Sequence, residues 1–484
     1  MSFRDDIGWD KYLRPFLYKK LPPCTGWSAV LGTLCAGCFI ILVLTGMILA
    51  FYYVPSPDKA WESVQYISND VALGGLLRGI HHWAAGAMVL LVFCHLIVTY
   101  VHGSYMKPRQ VTWITGACLF LVTLGLGFTG YLLPWDMKAY WATVVGANIP
   151  SQYPGVGNYI TRFILGGESI SGFTLSRFYS VHTLVLPACL VFFLACHIYL
   201  IRIHNLSDPR ERIAGESLPP ATGAPYRFFP EHMSRSVLAF GLLFFVLILL
   251  SCYAPPEVQD RAGTFIADYL PRPEWYYMWL FQLLTYFNGS WEMIGSLILF
   301  GGLLVLLFGV PFFSESRIKG IRNRPVSIAA AATMIIGMVY LTVMAYAEAQ
   351  PYNELFAVPE MEMSQPVQRG MQLYAERECS YCHNIKGIGG HRTGPDLSNV
   401  VRKGRTEQYL SQYIRDPQSI YPGTAMPAYD FTPQQLKDIV AFLMSLDFTD
   451  RKLVVKPADE IPGTKLWKKK HDASRQLKHD GASQ

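Results

Sequence analysis

Seven stretches of this chain of 484 residues carry no Asp, Glu, Lys or Arg: 27–53, 80–101, 110–135, 178–201, 236–256, 293–313 and 325–347. At about 1.5 Å per residue, roughly 20 apolar residues cross the ~30 Å hydrocarbon layer of a bilayer. Backbone in hydrocarbon must satisfy its own hydrogen bonds, so each stretch is expected to be a spanning helix. The composition agrees, with 51% hydrophobic and only 16% charged residues, a balance unusual for a soluble globular chain. The expected fold is all-α, a polytopic membrane helical bundle. Four spans come first, then a polar connection at 202–235, then three more.

Lys and Arg in the connections are asymmetric: 16 fall in the N-terminal segment and the even-numbered loops, against seven on the opposite side. Because cytoplasmic loops carry the excess of cations, the N-terminus is expected in the cytoplasm. Arg317, Lys319, Arg322 and Arg324 mark that side most clearly. The first span is too long for a signal-peptide apolar region and no small-residue cleavage site follows it, so it is expected to stay attached. Seven crossings deliver everything after about residue 348 to the exported side of what is expected to be a bacterial inner membrane. Eight of the ten cysteines lie within or beside spans, where a buried thiol serves as a small apolar side chain.

Domain boundaries follow from composition. Residues 1–215 hold the first four spans and 216–350 the last three. Prolines at 351 and 359, with Glu354, Glu360 and Glu362, make 351–364 a linker. Residues 365–450 read as a small α-helical domain whose last helix is capped at Thr432, with Pro433 in its first turn. Residues 451–484, with Lys468, Lys469 and Lys470, contribute much of the net charge of +6 and are expected to be a disordered basic tail. No nucleic-acid partner is expected.

The chemistry begins with four histidines. His81 and His95 lie in the second span, His182 and His197 in the fourth. At 100° per residue, 14 residues bring a side chain back to within about 40° of its starting direction, and 15 to within about 60°. Each pair therefore shares one face, whereas His82 points roughly 140° away from His95. Fourteen residues rise about 21 Å, so two facing helices present two pairs of imidazoles at two depths. Each pair can grip a haem iron from both axial sides, which describes two b-type haems with no open position for oxygen and a role in electron transfer. The bland alternative is an intramembrane histidine bonding a neighbouring helix, which is less economical for four residues in matched pairs.

Arg78 and Arg177 precede the first histidine of each pair at the membrane edge. They can pair with haem propionates or serve as interfacial anchors. Gly32, Gly46, Gly116 and Gly130, in the first and third spans, are candidates to let a flat macrocycle approach the backbone.

Arg78-Gly79-Ile80-His81-His82-Trp83, Gly130-Tyr131-Leu132-Leu133-Pro134-Trp135, Arg177-Phe178-Tyr179-Ser180-Val181-His182-Thr183 and Pro273-Glu274-Trp275-Tyr276 closely resemble cytochrome b of cytochrome bc complexes. The resemblance covers about 5–347. The 15-residue step from His182 to His197 resembles the split form, cytochrome b plus subunit IV, joined here in one chain. It implies that His81/His182 bind the haem nearer the exported side and His95/His197 the other. It also implies bifurcated quinol oxidation, one electron passing to a Rieske iron–sulfur protein and the other through the two b haems to a second quinone. The chain carries no iron–sulfur motif of its own, so the Rieske protein is expected as a separate subunit, within a dimeric complex.

Oxidising a quinol releases protons, and Glu274 is the candidate base. A carboxylate beside hydrocarbon takes up a proton more readily than one in water. By the resemblance, Gly130–Trp135 and the following 136–150 form the opposite wall of the pocket, with Tyr131 and Tyr276 as candidate lining residues. A second quinone site near the cytoplasmic haem is expected at Arg202, with His204 or Asp208 as further proton-handling groups. In the split form an extra haem hangs on a cysteine early in the first span. That position is Val30 here, so no such haem is expected.

Cys379-Ser380-Tyr381-Cys382-His383 is a C-x-x-C-H haem attachment motif, two thiols for the vinyl groups and a histidine for iron. A zinc half-site would need further ligands, and only His391 is near. Met426, 43 residues on, lies in a segment resembling the sixth-ligand loop of small cytochromes c. A thioether there raises the reduction potential, while the alternative is a core methionine. Pro395 is the candidate to accept a hydrogen bond from the ligand histidine. The expected acceptor beyond this c haem is a soluble or membrane-bound cytochrome c, or another carrier.

Overall fold

The computed structural model describes residues 11, 14–22, 26–151, 153, 155–167, 170–208, 226–262, 272–287, 292–296, 301–313, 319, 321–347, 355–377, 379–386, 388, 394–420, 424, 426–448 and 451–457. Among these, six helices are long and apolar enough to cross a bilayer. In chain order the helices used below are α1 (Leu31–Ala50), entered by a 3-10 turn at Trp27–Val30, α2 (Gly74–His102), α3 (Gln110–Tyr131) and the short α4 (Met137–Ser151). Then come α5 (Gly172–Ser180), running through a π-helical turn at Val181–Val185 into α6 (Leu186–His204), and α7 (Met233–Tyr253). The short α8 (Met278–Thr285) and α9 (Gly302–Phe313) precede α10 (Pro325–Ala347).

Two of the boundaries that differ from the charge-free stretches have a plain physical reason. α2 starts at Gly74, because Arg78 can stand in the interfacial first turns of a spanning helix and does not end it. α3 stops at Tyr131, since Leu133 precedes Pro134 and proline removes a donor and crowds the helical turn before it. Trp135 then takes φ +52° in the turn that follows. The sixth expected span, 293–313, is described as Glu292–Ser296 and α9, with 297–300 outside the described residues.

Several hydroxyl donors within the spans find acceptors on their own helices. The hydroxyls of Thr123 and Thr129 donate to the carbonyls of Leu119 and Gly125 at 2.8 Å, which satisfies them without a partner helix. α2 closes where Gly103 takes φ +70°, and the N–H groups of Gly103 and Ser104 reach the carbonyls of Tyr100 and Thr99 at 3.0 Å.

α1 packs on α2 and α3 on α6, while α2 and α3 bring the two pairs together, and α7 lies along α2 and α1. The centre is apolar: Cys38, Met88 and Leu190 are buried among Leu42, Val92, Leu119, Val122 and Leu126. On the side where α3 ends, the next turn is laced to the segment after α7. The Asp136 carboxylate accepts from the N–H groups of Ala139 (2.8 Å) and Gln259 (3.2 Å), and Ala262 N–H donates to the Trp135 carbonyl (2.9 Å). Burial pushes the Asp136 carboxyl upward, against those two backbone donors.

Described residues from 355 onward belong to a second compact unit. α11 (Gln365–Glu376) and α13 (Pro433–Ser445) form its central pair, with α12 (Cys379–Cys382) between them in sequence. Thr432 caps α13 reciprocally: its hydroxyl accepts from Gln435 N–H (3.3 Å) and Gln435 Oε1 accepts from Thr432 N–H (3.0 Å). The core is built on Tyr374, Ile385, Phe442 and Leu446, all 2% exposed or less. At Gly370 a methyl group would fall 1.9 Å from the Asp438 carbonyl oxygen, so the crossing of α11 and α13 requires glycine.

Strand β1 (Leu355–Pro359) pairs antiparallel with β2 (Leu453–Pro457). This corrects two expectations: the linker at 351–364 contains a strand, and the tail expected to be disordered from 451 begins with its partner. The short apolar run Leu453-Val454-Val455, two of its residues β-branched, suits a strand, a signal masked by the basic composition further on. Residues 458–484 lie outside the described residues.

Candidate functional site: two histidine tiers, an acidic pocket and an attachment loop

The four histidines face inward at two levels of the bundle. A methyl group at Gly46 would lie 3.1 Å from His81 Cε1, at Gly130 2.5 Å from His182 Cε1, at Gly116 3.2 Å from His197 Cε1 and at Gly32 3.5 Å from His95 Cε1. Each imidazole therefore rests where a glycine leaves the backbone bare, and each of the four candidate glycines receives one ring. The glycine spacing is 14 residues in both α1 and α3, which matches the step from His81 to His95. The extra residue between His182 and His197 is absorbed by the π-helical turn Val181–Val185, which contains His182. A single residue inserted this way rephases the helix without breaking it.

The ring centroids of His81 and His182 stand 6.3 Å apart, 68° between planes. An imidazole nitrogen lies about 2 Å from a first-row metal it binds. Two such bonds plus the two ring radii fill that distance, so the pair fits a shared iron. His95 and His197 approach each other closely enough to interact electrostatically.

Threonine orients three of the rings. Thr45 Oγ1 lies 2.9 Å from His81 Nδ1, Thr115 Oγ1 3.0 Å from His197 Nδ1 and Thr129 Oγ1 3.2 Å from His182 Nδ1. Each threonine precedes the glycine that seats the same ring. Leu31 holds the corresponding place before Gly32, and His95 Nδ1 is buried without a hydrogen-bond partner. Sequence reasoning found the glycines and missed the threonines, although three of the six Thr-Gly dipeptides in the chain fall within the first and third spans.

Arg78 donates to the Pro256 carbonyl, and its Nε is buried without a partner. Arg177 donates to the Phe163 carbonyl at 2.6 Å and lies over the Phe163 ring. Arg202, near the end of α6, lies close to Lys19, whose ammonium is depressed by burial and by that neighbour. The carbonyls of His204, Asn205 and Leu206 converge on Arg109 at 3.1 to 3.3 Å, and Asp208 is buried.

The Pro-Glu-Trp-Tyr element docks by two glycines that sequence reasoning did not single out. A methyl group on Gly86 of α2 would meet Trp275 Nε1 at 3.4 Å, and one on Gly127 of α3 would meet Tyr276 Oη at 3.0 Å. Tyr277 Oη donates to the Leu124 carbonyl at 2.6 Å and Tyr131 Oη to the Arg272 carbonyl at 3.0 Å. These contacts hold the segment against the wall made by α3 and the turn after it. Burial pushes the Tyr276 phenol well above its ordinary value, so it is a neutral hydrogen-bonding group. Glu274 is only 13% exposed at its side chain and pairs with Lys138 of α4 at 2.8 Å. No sequence signal marked Lys138.

In the second unit His383 follows α12. Its Nδ1 lies 2.8 Å from the Pro395 carbonyl oxygen, and a methyl group on Gly394 would clash with its ring. Burial keeps the imidazole below its usual value, neutral as a ligand must be, with the Pro395 contact opposing. Met426 packs, partly buried, against the core, and its N–H donates to Thr424 Oγ1 at 3.3 Å.

Comparison with known proteins matches three families in chain order. "Cytochrome b/b6/petB" matches residues 17–205, "Cytochrome b(C-terminal)/b6/petD" 271–359 and "Cytochrome c" 367–447. The cytochrome b6 of Heliobacterium modesticaldum is 45% identical over 179 residues, covering 37% of this chain and 84% of that protein. The chain belongs to the cytochrome b/b6 family. The cytochrome b6 of Synechococcus elongatus is 42% identical over 191 residues, 40% of this chain and 89% of that one. The cytochrome bc complex cytochrome b subunit of Chlorobaculum thiosulfatiphilum is 36% identical over 280 residues, 57% of this chain and 64% of the relative. Among solved structures, a chain of the "Hyperthermophilic respiratory Complex III" matches with TM-score 0.65 at 24% identity, over 72% of this chain and 90% of its own, and so shares the fold. This cytochrome b is thus a haem-binding, multi-pass membrane subunit for electron transfer in a bc-type complex, with a cytochrome c domain at its C-terminal side.

Proposed function

We propose that the chain is the cytochrome b/c subunit of a bacterial quinol:cytochrome c (or other acceptor) oxidoreductase that oxidises quinol at the exported face and couples this to proton translocation. The carrying observation is the one-to-one seating of four inward imidazoles on four glycines, with His81 and His182 at a spacing that fits one iron. His81/His182 and His95/His197 would hold two b haems, and Cys379, Cys382, His383 and Met426 one c haem. Haem held with both axial sides filled transfers single electrons and offers no open site to oxygen. The unpartnered Nε of Arg78 is a donor for a propionate, and Arg177 keeps either of its two roles. Pro395 orients His383.

Around the quinol, Glu274 accepts a proton, Tyr276 and Tyr131 line the pocket, and the neutral phenol of Tyr276 orients a quinol oxygen. Arg202 is the candidate group at a second, cytoplasmic-side quinone site. Electrons leave through a separate Rieske iron–sulfur protein, within a homodimeric complex whose N-termini are cytoplasmic and whose c domains are exported. A pyridine haemochrome assay is expected to give two b haems to one c haem. A preparation without b haem would overturn the membrane half of the proposal. Glu274→Gln should slow quinol oxidation by about 10²-fold or more with all haem bands intact, and unchanged turnover would remove its role.

A further inference from the structure

Lys138 is an unexpected charge for its place. It stands one residue into α4, two residues after buried Asp136, on the wall facing the Pro-Glu-Trp-Tyr element. Its ammonium lies 2.8 Å from Glu274 Oε1 and 5.4 Å from the centre of the Tyr131 ring. Its side chain keeps 31% of its exposure, against 13% for Glu274. The base of the pocket is thus closed on one side by a cation that still reaches water. The other groups facing this pair come from three elements. His82 of α2 interacts with both Glu274 and Lys138, and Arg78 with His82. Tyr276 faces Glu274 from its own segment, and Asp136 faces Lys138 from the turn after α3.

We propose that Lys138 is a positioning residue for quinol oxidation, a counter-ion that holds the Glu274 carboxylate oriented in the pocket between turnovers. This rests on the reading of Glu274 as the proton acceptor. A carboxylate can take the quinol proton only while it is an anion, and a cation hydrogen-bonded to that anion fixes where it points. When the quinol O–H bond breaks and an O–H bond forms on Glu274, the carboxyl becomes neutral and Lys138 loses its partner. The carboxyl is then free to leave the ammonium and pass the proton to water, after which the ion pair re-forms. Lys138 neither gains nor loses a proton in this cycle.

In membranes containing the whole complex, Lys138→Met is expected to slow quinol oxidation by about 10-fold, since a base swung out of line loses its alignment with the quinol oxygen. Lys138→Arg, which keeps the charge, should restore the rate, and the haem spectra of both variants should match wild type. In a Glu274→Gln background Lys138→Met should slow the reaction no further, because the carboxylate it orients is gone. An unchanged rate in Lys138→Met, or an equal further loss in the Glu274→Gln background, overturns the proposal. Glu274→Gln alone separates the two readings. If it leaves turnover unchanged, the acceptor role itself falls. If it slows turnover while Lys138→Met does not, only the role of Lys138 falls.

Discussion

At the scale of single residues, the membrane site is organised by absences. His182 needs Gly130, because a methyl group there would fall 2.5 Å from Cε1 of the ring, inside any real contact between carbon atoms. Gly130→Ala should therefore displace His182 and, on the proposed ligation, cost the complex a b haem, read as a reduced b-to-c ratio in the haemochrome assay. Retention of a two-to-one ratio would refute the tight seat. Helical spacing made the histidines legible, since an imidazole in hydrocarbon is conspicuous and period 3.6 decides which ones share a face. Their seats were only partly legible. Glycine is common in membrane helices for packing reasons, and nothing in one sequence says which glycine faces which ring. Lys138 and the docking glycines Gly86 and Gly127 were invisible, because their meaning comes from segments more than a hundred residues away.

At the scale of elements, the π-helical turn at Val181–Val185 reconciles a 15-residue histidine step with 14-residue glycine steps. Deleting Leu184 should convert that turn to ordinary helix and keep His182 and His197 in phase. Deleting Phe193, within regular helix, should swing His197 by about 100°. The first variant is expected to retain both b haems and the second to lose one, as scored by redox difference spectra. Sequence periodicity assumes a uniform helix and could only treat the extra residue as a 60° error.

In the second unit the pair α11–α13 carries two devices. Gly370→Ala forces backbone apart at the helix crossing and should cost about 1–3 kcal/mol, or about 4–8 °C of unfolding temperature per kcal/mol for a domain this size. Arg369 holds Asp438 through two bonds of 2.7 and 3.0 Å, with Gln434 adding a third at 3.1 Å. The Arg369 bond holds the Asp438 carboxyl below its ordinary value, against burial. A depressed carboxyl stabilises the fold above its unfolded value and loses that contribution as pH falls through the folded one. Arg369→Leu should therefore unfold at lower temperature than wild type at neutral pH. The two should converge below about pH 4, and a gap independent of pH would assign the effect to packing alone.

At the scale of the whole molecule, charge-free stretches gave six of the spans directly, because a bilayer enforces length and composition more strictly than a soluble core does. The capped last helix of the second unit was readable from Thr432-Pro433 and Gln435. The pairing of residues 355–359 with 453–457 was not, since strand partnership across nearly a hundred residues leaves no local trace. Sidedness remains a prediction of the Lys and Arg count. Protease added to the exported face of sealed membranes should release the c-haem band, and protection there would reverse the assigned orientation.

The strand pair has a consequence for modularity. Entry and exit of the second unit are fastened side by side, like the two ends of a purse string, so the fold between them is complete once the string is drawn. Insertions before residue 355 or after residue 457 leave that closure untouched. Such a unit can be gained, lost or exchanged as a cassette while the membrane helices keep their own register.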